Sequence, residues 1–306
     1  MLWAIATIAA AAAQTARNAM QSSLVRELGT LGATQVRFLY GLPFALLFLA
    51  LIAFTTNTSV PSPNPSFLLC IALAAPAQIA ATALLLAAMR ARSFSIATAL
   101  SRTEAIQTAI FALLILGETL TPARIAAIII ASFGVLLVTV KQNDAWDRAA
   151  LVSALYGLGS GALFASATIG FRAAILALGP DAFLLRAGAT VAWSLALQTA
   201  LLGLWLLVFR RAALFGSFRL SRKSLFAGLM GAFASLGWFT GLALTSAANV
   251  RALGLVEVLF AQFVSGRVFS ERATARELLG MALIVAGAAL LILSHTELIA
   301  CSASPR

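Results

Sequence analysis

Four glutamates stand at a repeated spacing in strongly apolar sequence. Glu104 and Glu118 are 14 positions apart, and Glu257 and Glu271 repeat that separation 153 residues later. A carboxylate in apolar surroundings can take up a proton or hold a cationic group, because it is costly to keep charged and unpaired there. The spacing therefore indicates a duplicated arrangement whose carboxylates could bind protons or cations.

The sequence around the glutamates repeats at the same offset. Gly134 corresponds to Gly287 and Thr121 to Thr274, while most other aligned positions keep their apolar character. Duplicated apolar halves are common in secondary transporters, whose substrate sites lie between the repeats. We expect a first repeat over residues 1–141, a linker over 142–149, a second repeat over 150–296 and a short tail over 297–306.

Composition places the chain in a lipid bilayer. Apolar residues make up 61% of the chain, charged residues only 10%, and the mean hydropathy is +0.99. A spanning helix needs about 20 mostly apolar residues. The sequence therefore predicts an all-α polytopic membrane protein with ten transmembrane helices, arranged as two homologous five-helix repeats. The predicted spans are 2–22, 34–54, 66–89, 94–116, 122–140, 150–176, 182–209, 223–245, 250–269 and 277–294.

Basic residues are distributed unevenly between the predicted loops. A net charge of +11 would suggest a nucleic-acid partner in a soluble protein, but here most of it lies between spans, so we expect no nucleic acid. The odd-numbered loops hold twelve Arg and Lys residues, whereas the even-numbered loops and termini hold three. This count places both termini outside the cytoplasm. No basic stretch precedes the first span, which we interpret as a retained helix and not a signal peptide.

The segments around the glutamates also carry a family resemblance. The first copy comprises Thr103–Ala105 and Leu116–Thr121, followed by a helix that contains Gly134, and the second comprises Val256–Ala261 and Phe269–Arg272. Together with five helices per half, the two copies resemble the repeated signature of the drug/metabolite transporter superfamily, in its ten-helix EamA-type permeases. The resemblance covers essentially the whole chain.

This resemblance implies a function. Such permeases move small metabolites, amino acids or drugs outward, often with protons, through a central cavity between the halves, and we expect the same of this chain in a plasma membrane, the bacterial inner membrane. Family members usually have cytoplasmic termini, opposite to the charge count. Ala105 and Val258 stand where many relatives carry proline, and Ser270 stands where the second copy usually has glycine, so no proline kink is predicted here.

Glu104 and Glu257 are the predicted proton or substrate ligands. Glu104 lies about ten residues into its span, which is about 15 Å and near the bilayer midplane, whereas Glu257 is shallower. An ionisable group at that depth usually faces a cavity or a partner. The alternative is a static pair in which Arg102 or Arg251 neutralises the carboxylate.

Glu118 and Glu271 are predicted to mark helix boundaries. Each precedes a helix start: Thr121 stands at a capping position before a proline, and Thr274 forms a capping-box pattern with Glu277. We therefore interpret these four boundary residues, Glu118, Glu271, Thr121 and Thr274, as structural.

Polar faces on three predicted helices complete the candidate site. Gln14, Arg17, Asn18 and Gln21 share one face of the first helix, which must turn away from lipid. The alternatives are packing against neighbouring helices or an arginine that extends to the headgroups. Arg37 is expected to extend in this way, with binding of a substrate carboxylate as its other possible role. The third and fourth helices add Gln78, Thr82, Ser101, Gln107 and Thr108.

Other classes of function lack sequence support. His295 is the only histidine, and no metal-ligand spacing, nucleophile motif or phosphate loop occurs, so we expect no enzyme activity, no metal and no cofactor. The expected partners are a small-molecule substrate, a proton and the lipid bilayer. The competing interpretation is a non-transporting membrane scaffold or assembly protein, which would not require carboxylates at the midplane.

Overall fold

The computed structural model describes residues 1–90, 94–140, 148–180, 182–218, 221–269 and 274–303. These residues form twelve α-helices and no strand. The helices are α1 (Leu2–Thr56), α2 (Pro65–Arg90), α3 (Phe94–Ser101), α4 (Glu104–Leu116), α5 (Pro122–Thr139), α6 (Arg148–Ala177), α7 (Phe183–Phe209), α8 (Arg211–Ser217), α9 (Arg222–Leu244), α10 (Ala247–Gly254), α11 (Glu257–Phe269) and α12 (Ala275–Ala303).

The chain is a multi-pass integral membrane protein. Within the described residues, nine helical segments are long and apolar enough to cross a membrane, and the first part of α1, whose polar face lowers its hydropathy, would be a tenth. Large apolar side chains such as Leu73, Leu114 and Leu204 remain exposed. In water such surfaces would promote aggregation, whereas in a bilayer they contact lipid tails.

Two predicted connections are wrong. No loop separates the predicted spans 2–22 and 34–54, because α1 continues through both and only Gly29 leaves the helical conformation, at φ 68°. Glycine adopts that conformation at no steric cost, so the chain changes direction in a single residue. The predicted basic loop between Arg210 and Lys223 contains the short helix α8.

The predicted spans 94–116 and 250–269 are each broken in two. At the breaks the hydrogen bonds reach back three residues instead of four, from Thr103 N to Leu100 O and from Val256 N to Leu253 O, both at 3.1 Å. Such tighter turns interrupt a helix without proline. In both cases the second segment begins at a glutamate, Glu104 in α4 and Glu257 in α11.

The first half of the chain (residues 1–140) and the second half (148–303) are intertwined. The most extensive helix contacts join α1 to α9, α2 to α6 and α5 to α12, each of which connects the two halves. Small residues allow these approaches: a Cβ on Gly237 would lie 2.8 Å from the carbonyl oxygen of Ala6, and one on Gly170 would lie 2.8 Å from Cβ of Ala74. The alanine run of α1 therefore packs against α9.

The contact between α5 and α12 follows the sequence repeat. A Cβ on Gly134 would lie 2.6 Å from the carbonyl oxygen of Gly280, and a Cβ on Gly287 would lie 2.8 Å from that of Ala127. Gly134 and Gly287 occupy corresponding positions of the two halves, as do Ala127 and Gly280. The contact between α5 and α12 is therefore formed by corresponding positions of the two halves.

Candidate functional site

A cavity of about 540 Å³ lies between the two halves. Its walls come from both halves, including the polar face of α1, the two broken helices and parts of α2, α6, α7 and α9. The volume falls in the range of small-molecule sites in proteins. Aromatic side chains from the second half complete the lining, namely Phe164, Phe171, Trp238 and Phe239.

The cavity brings together most of the predicted site residues. The predicted residues that line it are Gln14, Arg17, Asn18, Gln78, Thr82, Ser101, Glu104 and Glu257. Thr108 is fully buried and Gln107 bonds to Thr103, so these two predicted residues lie outside the lining. The side chain of Gln21 is not among the described residues. A role in transport for any of these residues stays a prediction.

Glu257 is held by several partners. Gln14 donates from Nε2 to Oε2 at 2.7 Å, Asn18 donates from Nδ2 to Oε1 at 3.3 Å, and Arg102 Nη1 lies 3.1 Å from Oε2. The residue is 4% exposed and begins α11, where the helix dipole also favours a negative charge. Its charge is therefore stabilised on several sides.

Glu104 has a simpler environment. Among the described residues its carboxylate pairs with Arg251, and the side chains of the pair are 13% and 20% exposed, respectively. The Arg251 guanidinium also lies over the indole of Trp238, 5.4 Å from the ring centroid, in a cation–π contact. The Trp238 indole N–H donates to Gln14 at 3.2 Å, which connects this pair to the network around Glu257.

The two ion pairs cross between the halves. Glu104 of the first half pairs with Arg251 of the second, whereas Glu257 of the second pairs with Arg102 of the first. A buried ion pair contributes little net stability but is costly to break on one side only. The crossed pairs therefore fix how the halves meet at the cavity.

Arg17 and Arg37 also reach the cavity. Arg17 is 5% exposed, and its Nε and Nη2 both lie near Asn18 Oδ1, at 3.3 and 2.7 Å. The sequence predicts an interfacial position for Arg37, because the predicted span begins at residue 34. The helical segment that contains Arg37 begins just after the turn at Gly29, four residues before the predicted start, so Arg37 lies about 10 Å into it.

The predicted boundary residues mostly lie at helix ends. Thr121 caps α5 by accepting from the Arg124 backbone N–H at 3.4 Å, and Thr274 forms a capping box with Glu277. Glu118 follows the end of α4 but also accepts from Arg172 of α6 and from the Ala247 N–H that begins α10, both at 3.0 Å. Glu118 therefore joins the two halves as well. Glu271 lies outside the described residues.

Comparisons with known proteins agree with this architecture. No curated protein matches the chain significantly. One crystal structure of a protein resembles it with a TM-score of 0.73 and 13% identity, over 94% of this chain and 96% of the other, which shows a shared fold. The model of the EamA-like transporter family matches residues 1–140. Residues 1–140, the first half of the chain, are thus similar to this family of membrane transporters.

Proposed function

We propose that the chain is a secondary permease that exports a small metabolite or drug by alternating access. The two halves rock around the central cavity, which opens to one side of the membrane at a time. The observation that carries this proposal is the pair of crossed ion pairs, Glu104–Arg251 and Glu257–Arg102, at the breaks of two spanning helices. Contacts between halves at such breaks change when the halves move, so they are suited to control opening.

Glu104 is the proposed proton carrier. A proton on its carboxyl group removes the negative charge, which weakens the pair with Arg251 and frees that guanidinium. Glu257 has three side-chain partners besides its helix dipole, so its charge is harder to remove. In this mechanism Glu104 exchanges its proton during the cycle while Glu257 remains ionised and anchors the halves.

Identification of the cargo comes first in the test. Cells that express the full chain are compared with cells that lack it, and extracellular metabolites are measured without preselection. The variant Glu104→Gln enters at the flux measurement that follows. The metabolite that accumulates outside only with the wild-type protein is then followed in proteoliposomes with an imposed pH gradient. We expect wild-type flux to depend on the gradient and the variant to lose both flux and that dependence.

Glu277→Gln is the matched control. This glutamate lies in the capping box of α12, where glutamine also serves, so its flux should equal that of the wild type. Unchanged flux and unchanged pH dependence in Glu104→Gln would contradict the proton-carrier role. If no metabolite differs between cells with and without the wild-type protein, the non-transporting scaffold is favoured instead.

A further inference from the structure

The charges around the cavity do not balance. The described lining contains four arginines and two glutamates. Arg102 and Arg251 each pair with one glutamate, which leaves Arg17 and Arg37 without an ion pair to any described carboxylate. The cavity therefore carries a formal excess of two positive charges in a region where charge is poorly solvated.

Arg17 presents an unused donor. It is buried on the polar face of α1, and its Nη1 has no hydrogen-bond partner among the described residues. The neighbouring Asn18 oxygen accepts from the other two nitrogens, while its amide group donates to Glu257. A buried guanidinium nitrogen without an acceptor is costly, and an anionic ligand in the cavity would remove that cost.

Arg37 lies beside Arg17. Both side chains pack against the same small residue of α9: a Cβ on Gly231 would lie 3.4 Å from Cδ of Arg17 and 3.6 Å from Cγ of Arg37. Two like charges held side by side repel each other. Their arrangement is stabilised when one negative group binds both, and the planar fork of each guanidinium suits the oxygens of a carboxylate or a phosphate.

We infer that Arg17 and Arg37 form an anion-binding subsite of this cavity, and that the cargo is a small organic anion with a carboxylate or phosphate group. The part that concerns cargo rests on the proposed permease function, whereas binding by the subsite does not. The aromatic side chains that also line the cavity can accommodate the apolar portion of such a molecule.

The test measures binding to the purified full-length protein in lipid nanodiscs. Thermal unfolding is recorded against increasing concentrations of benzoate, phenyl phosphate, neutral benzamide and cationic benzylamine, at constant ionic strength. A ligand that binds the folded state raises the Tm in proportion to its occupancy. We expect at least one of the two anions to raise the Tm, and no comparable rise with benzamide or benzylamine.

Substitutions then locate the binding. Arg17→Gln and Arg37→Gln should each raise the Kd for the anion by roughly tenfold to a hundredfold, since each removes a charge-assisted contact. Arg210→Gln changes an exposed arginine at the end of α7 and should leave the Kd unchanged. Arg17→Lys keeps the positive charge but lacks the planar guanidinium, so this variant should bind the anion with intermediate affinity. It replaces Arg17→Gln in the comparison if Arg17→Gln does not fold.

Several results would overturn the subsite. These are equal binding of benzamide and the anions, stronger binding of benzylamine, or an anion affinity that neither arginine substitution changes. Because no flux is needed for this measurement, a protein that binds anions but moves nothing would support the subsite and contradict the permease. A protein that moves only neutral or cationic cargo would support the permease and contradict the inferred anionic cargo.

Discussion

Glu104 and Glu257 occupy corresponding positions in the two halves, yet their surroundings differ. Each begins the second segment of a broken helix, and each pairs with an arginine from the other half. Glu257 in addition accepts from Gln14 and Asn18, whereas Arg251 is the partner of Glu104 among the described residues. Duplicated sequence therefore preserves the position of a carboxylate without preserving its environment.

The difference originates in the helix that packs against each break. Glu257 meets the polar face of α1, which supplies two amides. The break before Glu104 instead meets α6 at Gly161, where a Cβ would lie 3.0 Å from the carbonyl oxygen of Ser101. A polar surface therefore anchors one carboxylate, and close backbone packing leaves the other with a single ionic partner.

The largest effect is expected for Glu257→Gln. This change leaves Arg102 without its counter-charge beside the already unpaired Arg17, so we expect a loss of about 3 kcal/mol in the free energy of unfolding. Chemical denaturation of the purified protein measures it. If this variant loses no more stability than Glu104→Gln, the proposed anchoring of Glu257 is wrong.

Glu104→Gln should destabilise the protein less, by about 1.5–2 kcal/mol, because one ionic partner is affected. The double variant Glu104→Gln/Arg251→Gln should recover part of this loss, since it removes the uncompensated arginine as well. The same denaturation experiment gives both values. Additive losses in the double variant would mean that the pair is not coupled.

The glycines beside the two breaks provide a third contrast. A Cβ on Gly254 would lie 2.7 Å from the Trp238 ring, so Gly254→Ala must displace that indole and should cost about 1–1.5 kcal/mol. Gly161→Ala adds a methyl group at 3.0 Å from a backbone oxygen and should cost less. Tryptophan fluorescence should shift in the first variant only. Equal shifts in both variants would contradict the specific contact with Trp238.

The smallest effect is expected for Thr103→Val. Val256 occupies the corresponding position at the second break, so this change makes the first break resemble the second. It removes the bond that Thr103 Oγ1 donates to the carbonyl oxygen of Leu100, at 2.6 Å, and the one that it accepts from Gln107 Nε2, at 3.2 Å, and should cost about 1 kcal/mol. Unfolding measurements at matched lipid content would detect it. A loss as large as that of Glu257→Gln would show that the Thr103 hydroxyl does more than stabilise the turn at the first break.

Much of the fold could be predicted from hydropathy. The span predicted over 122–140 is α5 at Pro122–Thr139, and the span predicted over 182–209 is α7 at Phe183–Phe209. The breaks at Glu104 and Glu257 could not be predicted, because the hydropathy of each span does not mark the tight turn and the sequence lacks the proline that signals a kink. The position of each break depends on a local change in backbone hydrogen bonding, which cannot be read from composition.

The site could be predicted only in part, for a related reason. The polar face of α1 was recognisable because helical periodicity places Gln14, Arg17 and Asn18 together. Arg102 and Arg251 were named as possible partners, but which glutamate each one pairs with depends on how the halves cross. Arg37 was assigned to the interface because a one-residue turn at Gly29 carries no signal in hydropathy.

The interlocked packing of α1 with α9, α2 with α6 and α5 with α12 has a consequence for biogenesis. The first half emerges from the ribosome before its contact partners exist, so after insertion its glycine and alanine surfaces must face lipid until the second half is synthesised. Neither half can complete its core alone. Membrane insertion and final assembly are therefore separate steps for this chain. The central cavity can form only after the helices of the second half have been inserted.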